Sequence, residues 1–153
     1  MVRSSVWNAL GGLDDRFFAH MEEIDLCWRM QLRGWKVTMV PEPYVYHIGG
    51  GTLPNESPFK LRLNFRNNLL LLENNLPATL NSRFRARVRI LARMCLDGLS
   101  AMVYLFTGKW SFFKAVMQAH REYRKMRRPG EILPERHIPD GLYKGWIVPK
   151  GLF

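Results

Sequence analysis

From Pro58 to Arg128 the chain repeats its apolar residues at helical spacing, with only two short interruptions, Asn74-Asn75-Leu76-Pro77 and Gly108. Leu61, Phe65, Leu69 and Leu72 return to one side of a helix over 58–75, with Arg62 and Arg66 on another. A second helix is predicted over about 81–107; it opens on Arg83, Arg85, Arg87 and Arg89 and turns apolar past Cys95. A third, over 109–128, becomes strongly basic in its last turns. Almost half of the 153 residues are thereby committed to helices that must each bury a face.

Charge divides the chain at the same place. Residues 1–56 carry a net −2 and residues 57–153 a net +12, within a total of +10. A basic surface of this kind attracts nucleic acid, anionic lipid or phosphorylated ligands without choosing among them. Helix-turn-helix, RNP and zinc spacings are missing, so nucleic acid is not the expected partner. Trp110, Phe112 and Phe113 beside Lys109 and Lys114 make an aromatic-basic face suited to a lipid interface. The longest uncharged run of the basic half, Gly98 to Gly108, is about half of what a spanning helix needs. Any membrane contact is therefore expected to be peripheral. Cys27 and Cys95 sit apart on predicted helices, which gives no disulfide framework and no CxxC metal pair. With no apolar leader after Met1, the expected location is the cytoplasm, peripheral on the inner face of the cell membrane.

In the first third, Ser4 or Ser5 caps a helix through Leu10, which Gly11-Gly12 stops. Leu13 to Met21 reads as an ordered loop, and Glu22 to Arg33 as a helix closed by Gly34. Ile24, Trp28, Leu32 and Trp35 share one stripe of that helix, opposite Asp25, Arg29 and Arg33. Trp35 to Val40 alternates and is predicted to be a strand closed by Pro41, with a second short strand over Tyr44 to His47. A Gly/Pro/Asn/Ser loop then runs to Ser57. The chain divides into residues 1–56, a basic helical segment 57–128 and an extended tail 129–153.

Carboxylates cluster at the start of the Glu22–Arg33 helix. Acidic residues are common in a first turn because they complement the helix dipole. Glu23 projects beside Cys27 and Met30, whereas Glu22 projects toward the polar face, so Glu23 is the better placed of the two for proton transfer. Asp25 and Arg29, four residues apart, read as a structural pair. Asp14 and Asp15 serve equally well as sugar contacts or turn formers. His47 is either a satisfied polar residue or a metal ligand, and Gly49-Gly50-Gly51-Thr52 lacks the spacing of a P-loop. Arg66 either grips a phosphate or belongs to a solvated helix face.

Four blocks in order, Gly11-Gly12-Leu13-Asp14-Asp15-Arg16-Phe17-Phe18, Glu22-Glu23-Ile24-Asp25-Leu26-Cys27-Trp28-Arg29, Gly34-Trp35 and Val45-Tyr46-His47, resemble the C-terminal half of family-2 inverting glycosyltransferases, the rhamnosyltransferase-like group above all. The resemblance covers residues 1 to about 75. It implies an α/β fold, the acceptor-side part of a GT-A domain, followed by a helical C-terminal extension. By the same resemblance Glu23, with Glu22, is the catalytic base, although the family has Glu-Asp where this chain has Glu22-Glu23. Asp14, Asp15, Asp25, Trp28, Arg29, Gly50, Gly51, Thr52 and Arg66 would then contact substrate, and His47 would join the shell of Mg2+ or Mn2+. The family's Asp-x-Asp metal motif has no counterpart here. The implied partners are a nucleotide diphosphate sugar donor and a glycan or polyprenyl-linked acceptor. A missing nucleotide-binding half, or self-association in its place, is a further expectation. The rival class is a non-enzymatic fragment that acts as an interaction or membrane-surface module.

Overall fold

The computed structural model describes residues 1–38, 41, 46, 57–135 and 137. Five α-helices and one short 3-10 turn follow in order: α1 Ser4–Leu10, the turn Asp15–Phe17, α2 Glu22–Leu32, α3 Pro58–Leu80, α4 Arg83–Phe106 and α5 Trp110–Met126.

Local chemistry sets most of the boundaries. Ser57 caps α3 by accepting from the Lys60 amide at 3.1 Å, with Pro58 as the first helical residue, where its missing N–H costs nothing. Ser82 caps α4 in the same way through the Arg85 amide at 3.2 Å. Gly11, at φ 72°, ends α1, and Gly108, also at φ 72°, makes the turn between α4 and α5.

α3 is the axis of the fold. α4 and α5 pack on it and on each other, and α2 and the 3-10 turn pack on it as well. The consecutive leucines Leu69 to Leu72 are all buried, which marks a helix surrounded on every side. They meet Phe17, Ala86, Ile90 and Tyr123 in one core, while Leu32, Ala78 and Leu133 form a smaller one beside Trp28.

α3 does not break at Asn74–Pro77, as its sequence suggests, but runs through Pro77 to Leu80. A proline in a helix frees the carbonyl four residues earlier, and here that carbonyl belongs to Glu73. The start of the tail lies against it. A Cβ on Gly130 would come within 2.1 Å of the Glu73 oxygen, so only glycine permits this approach. Further on, the His137 amide donates to the Leu32 carbonyl at 2.9 Å, closing the tail onto the end of α2.

The expected α/β fold is overturned. The described residues are helical and contain no strand, so the GT-A layout implied by the resemblance does not hold for this architecture. Trp35 to Thr38, the described part of the first expected strand, is exposed and irregular. Its alternation is satisfied by no neighbouring strand among the described residues. Instead the Trp35 amide donates back to the Met30 carbonyl at 3.0 Å, within the C-terminal turn of α2. Strands form only when paired, and alternation alone does not supply a partner. Met39, Val40, Tyr44, Val45 and His47 lie outside the described residues.

Candidate functional site

The approach to α2 is built under strain. Phe18 has φ 62° and ψ −54°, and the Ala19 amide donates to the Phe17 carbonyl at 2.7 Å. That is a γ-turn of the rare, strained hand. His20 and Met21 follow at φ 70° and 75°, left-handed without being glycine. Each such residue costs on the order of 1–3 kcal/mol and persists only where its surroundings hold it. Two neighbours on α3 do so. The buried Asn67 amide donates to the carbonyls of Phe17, Ala19 and His20 at 3.0, 2.6 and 2.8 Å. The Arg66 guanidinium donates to Phe17 at 2.8 Å and to Arg16 at 3.3 Å. Burial pulls the Arg66 pKa down, and Glu122 beside it works the other way.

Immediately after this loop come Glu22 and Glu23. The helical wheel is reversed here: Glu23, expected at the apolar flank beside Cys27 and Met30, is on the exposed side of the first turn of α2. Glu22 is half-buried, and its Oε2 is sequestered with no hydrogen-bond donor among the described residues. A buried polar atom left in this way is costly in a folded chain and calls for an explanation.

One turn further on, Asp25 is wholly buried. Its Oδ2 accepts from Arg29 Nε at 2.7 Å, and its Oδ1 accepts from Asn75 at 2.8 Å and Asn74 at 3.1 Å. The other nitrogens of Arg29 donate to the carbonyls of Leu10 and Gly12, both at 2.8 Å. One carboxylate thus ties the end of α1, the start of α2 and the middle of α3 together.

Above this node lies a cleft of about 500 Å³, whose walls include Asp14, Asp15, Arg16, Arg29, Arg33 and Arg128. Burial alone would push the Asp14 carboxyl up. Hydrogen bonds from the Arg16 side chain and amide and from Asn74 outweigh it and hold the group at about 2. Arg16 also donates to Asn74 Oδ1 at 2.7 Å and to the Met126 carbonyl at 3.2 Å. Arg33 pairs with Glu131 at 2.6 Å. Arg16, Arg29 and Arg33 are therefore all engaged within the chain.

The sequence-derived candidates are thus separated. Asp14, Asp15 and Arg29 line the cleft, with Asp25 beneath them, whereas Glu22 and Glu23 do not line it. Trp28 is half-buried and donates from its indole to Thr79 Oγ at 3.1 Å. Arg66 is buried against the strained loop instead of lying on a solvated face. His47, Gly50, Gly51 and Thr52 lie outside the described residues. Among the described residues no three His, Cys, Asp or Glu side chains converge, and the expected metal ligand His47 is not one of those residues. The side chains that sequence reasoning missed are the asparagines Asn67, Asn74 and Asn75. Their signal was present: amides set among the leucines of a buried helix, where a polar group must have partners.

With this geometry in view, likeness to known proteins adds a class. Over 47 residues, 31% of its length, the chain is 40% identical to a glycosyltransferase. That relative, found in two strains of Mycobacterium tuberculosis, is an N-acetylglucosaminyl-diphospho-decaprenol L-rhamnosyltransferase. The matched stretch spans only 15% of the relative's own length. No protein-family model matches the chain, and no solved structure matches it. The likeness supports a glycosyltransferase relationship for a short segment of this chain.

Proposed function

We propose that the chain carries the acceptor-side machinery of a sugar-transfer reaction, with a nucleotide diphosphate sugar as donor and a polyprenyl-linked glycan precursor as acceptor. The observation that carries this reading is the exposed Glu23 carboxylate on the first turn of a helix whose preceding loop is held in a strained conformation. Strain of this kind clusters at sites of chemistry, and the 47-residue likeness supplies the class of reaction. A general base must reach the proton it takes. Glu23 is open to an incoming hydroxyl, whereas Glu22 turns one oxygen inward.

In the proposed step Glu23 takes the proton of the acceptor hydroxyl as that oxygen bonds to the anomeric carbon. The bond from the anomeric carbon to the diphosphate breaks on the opposite face, and the electron pair leaves with the nucleoside diphosphate. The anomeric centre is inverted. Asn67 and Arg66 act as positioning residues, holding the loop that sets the direction of the first turn of α2. An acceptor of this kind hangs from a bilayer, so the chain would work at a membrane surface, on its cytoplasmic side.

The test, made on an enzyme in which this chain is joined to a nucleotide-binding half, is transfer of labelled rhamnose from its nucleotide diphosphate to a water-soluble polyprenyl diphosphate N-acetylglucosamine analogue. Glu23→Gln is expected to lower turnover by about 100-fold or more while leaving acceptor binding unchanged. Near-normal turnover in that variant would move the base to Glu22, for which Glu22→Gln is the matching control. If the unaltered chain binds neither sugar substrate, the enzymatic reading fails and the interaction module stands.

A further inference from the structure

α4 has two apolar faces, and only one of them is covered by the described residues. Its inner side places Ala86, Ile90 and Ala101 in the interior together with Asp97, which accepts from Arg93 at 2.7 Å and pairs with His120 at 3.1 Å. On the opposite side Phe84, Val88, Leu91, Cys95, Leu99, Met102 and Phe106 recur at intervals of three and four, one unbroken stripe along the helix. All are exposed: Phe84 is 77% accessible, Leu99 64% and Phe106 81%. With Leu96 and Val103 beside them they leave roughly 800 Å² of apolar surface in water, more than the largest patch of a typical monomer. A patch of that size marks an interaction surface.

The charges around the stripe identify what covers it. Taken at 100° per residue, Arg85 stands just outside one edge of the stripe and Arg87 just outside the other, with Arg83 and Arg89 farther round the helix. Beyond the far end stand Lys109 and Lys114, each over an aromatic ring, at 6.0 Å from Phe112 and 5.7 Å from Trp110. From residue 83 to 114 there are seven Lys or Arg and a single carboxylate, Asp97, which is buried and already paired. A second copy docked on this face would bring an arginine rim with no acid to answer it. An anionic bilayer answers both features, acyl chains for the stripe and headgroups for the rim. At 24 residues α4 is about 36 Å long, and no helix among the described residues is long and apolar enough to cross a membrane. It would lie in the plane of the interface.

We propose that the outer face of α4 is a docking surface for an anionic lipid bilayer, with Leu99, Val103 and Phe106 inserted and Arg85 and Arg87 against the headgroups. This does not rest on sugar transfer. It places the buried surface on α4, whereas the aromatic cluster at the start of α5 is only its edge.

The experiment is flotation of the full chain with vesicles of phosphatidylcholine, with and without phosphatidylglycerol, over a salt series. Since a basic residue near a charged surface contributes about 1 kcal/mol, the anionic vesicles are expected to bind at least about tenfold more tightly, with the advantage fading as salt rises. Leu99→Glu with Phe106→Glu should abolish flotation, and Arg85→Glu with Arg87→Glu should remove only the anionic preference. All four positions are exposed, so unchanged helical circular dichroism is expected and is measured alongside. Equal binding to both vesicles, or unchanged binding by the Leu99/Phe106 variant, overturns the proposal. So does a chain that ignores vesicles: if it sediments as a dimer that the same variant dissolves, a second copy covers the face; if it stays monomeric, the occupant is another protein.

Discussion

Replacing Asp25 by alanine tests the proposition that a single buried carboxylate joins three helices. The substitution removes the anion paired with the Arg29 guanidinium and the acceptor shared by Asn74 and Asn75. Breaking a buried ion pair by deleting one partner costs about 3–5 kcal/mol. The lower end applies here, because the stranded groups keep other partners. Arg29 retains the carbonyls of Leu10 and Gly12, and Asn74 retains Asp14. A loss of about 3 kcal/mol is a large part of the 5–15 kcal/mol that holds a domain together. In a chain of this size it lowers Tm by roughly 6–12 °C. Urea unfolding followed by circular dichroism measures it directly. Arg29→Met should cost at least as much, since it leaves the wholly buried Asp25 carboxylate without its counter-charge and strands the Leu10 and Gly12 carbonyls. The double variant should cost less than the sum of the two, because the second substitution removes a partner already stranded by the first. A loss below about 1 kcal/mol for Asp25→Ala, against the 3–5 kcal/mol scale, or strict additivity in the cycle, would refute the idea that this pair bears the junction.

Two further outcomes follow from the loop and the cleft. Asn67→Ala is expected to cost about 2 kcal/mol, two amide hydrogens lost to buried carbonyls, offset in part by relaxation of the strained backbone at Phe18, His20 and Met21. Amide exchange at residues 18–21 should rise with it; unchanged protection would mean that the loop does not need the clamp. For Asp14 the folded pKa is depressed to about 2 from 3.8. The stability it contributes is then complete above about pH 4 and is lost as pH falls toward 2. Asp14→Asn should flatten that acid limb and lower stability at neutral pH. An unchanged limb would show that another group titrates there.

The helices were legible because their signals are local. Ser57 with Pro58, Ser82, Gly11 and Gly108 stand where capping and turning need them, and the structure uses each in that way. The expected strands were not, since alternation over Trp35 to Thr38 is a statement about one segment and a strand is a property of two. Periodicity also misjudged the buried face of α2. Ile24 and Trp35, on the predicted apolar stripe, are largely exposed, while Asp25, on the predicted polar face, is wholly buried. The reason lies fifty residues away. α3 brings Asn74 and Asn75 to the surface on which α2 settles, and those amides demand an acceptor that an isoleucine cannot provide. Burial of a charge is decided by what faces it, which a helical wheel does not contain. The same reasoning applies in reverse to α4, where apolar residues at perfect helical spacing lie on the outside. Among the described residues Leu99 and Phe106 satisfy every criterion of a core position except a partner, and that missing partner is what the proposed bilayer contact would supply.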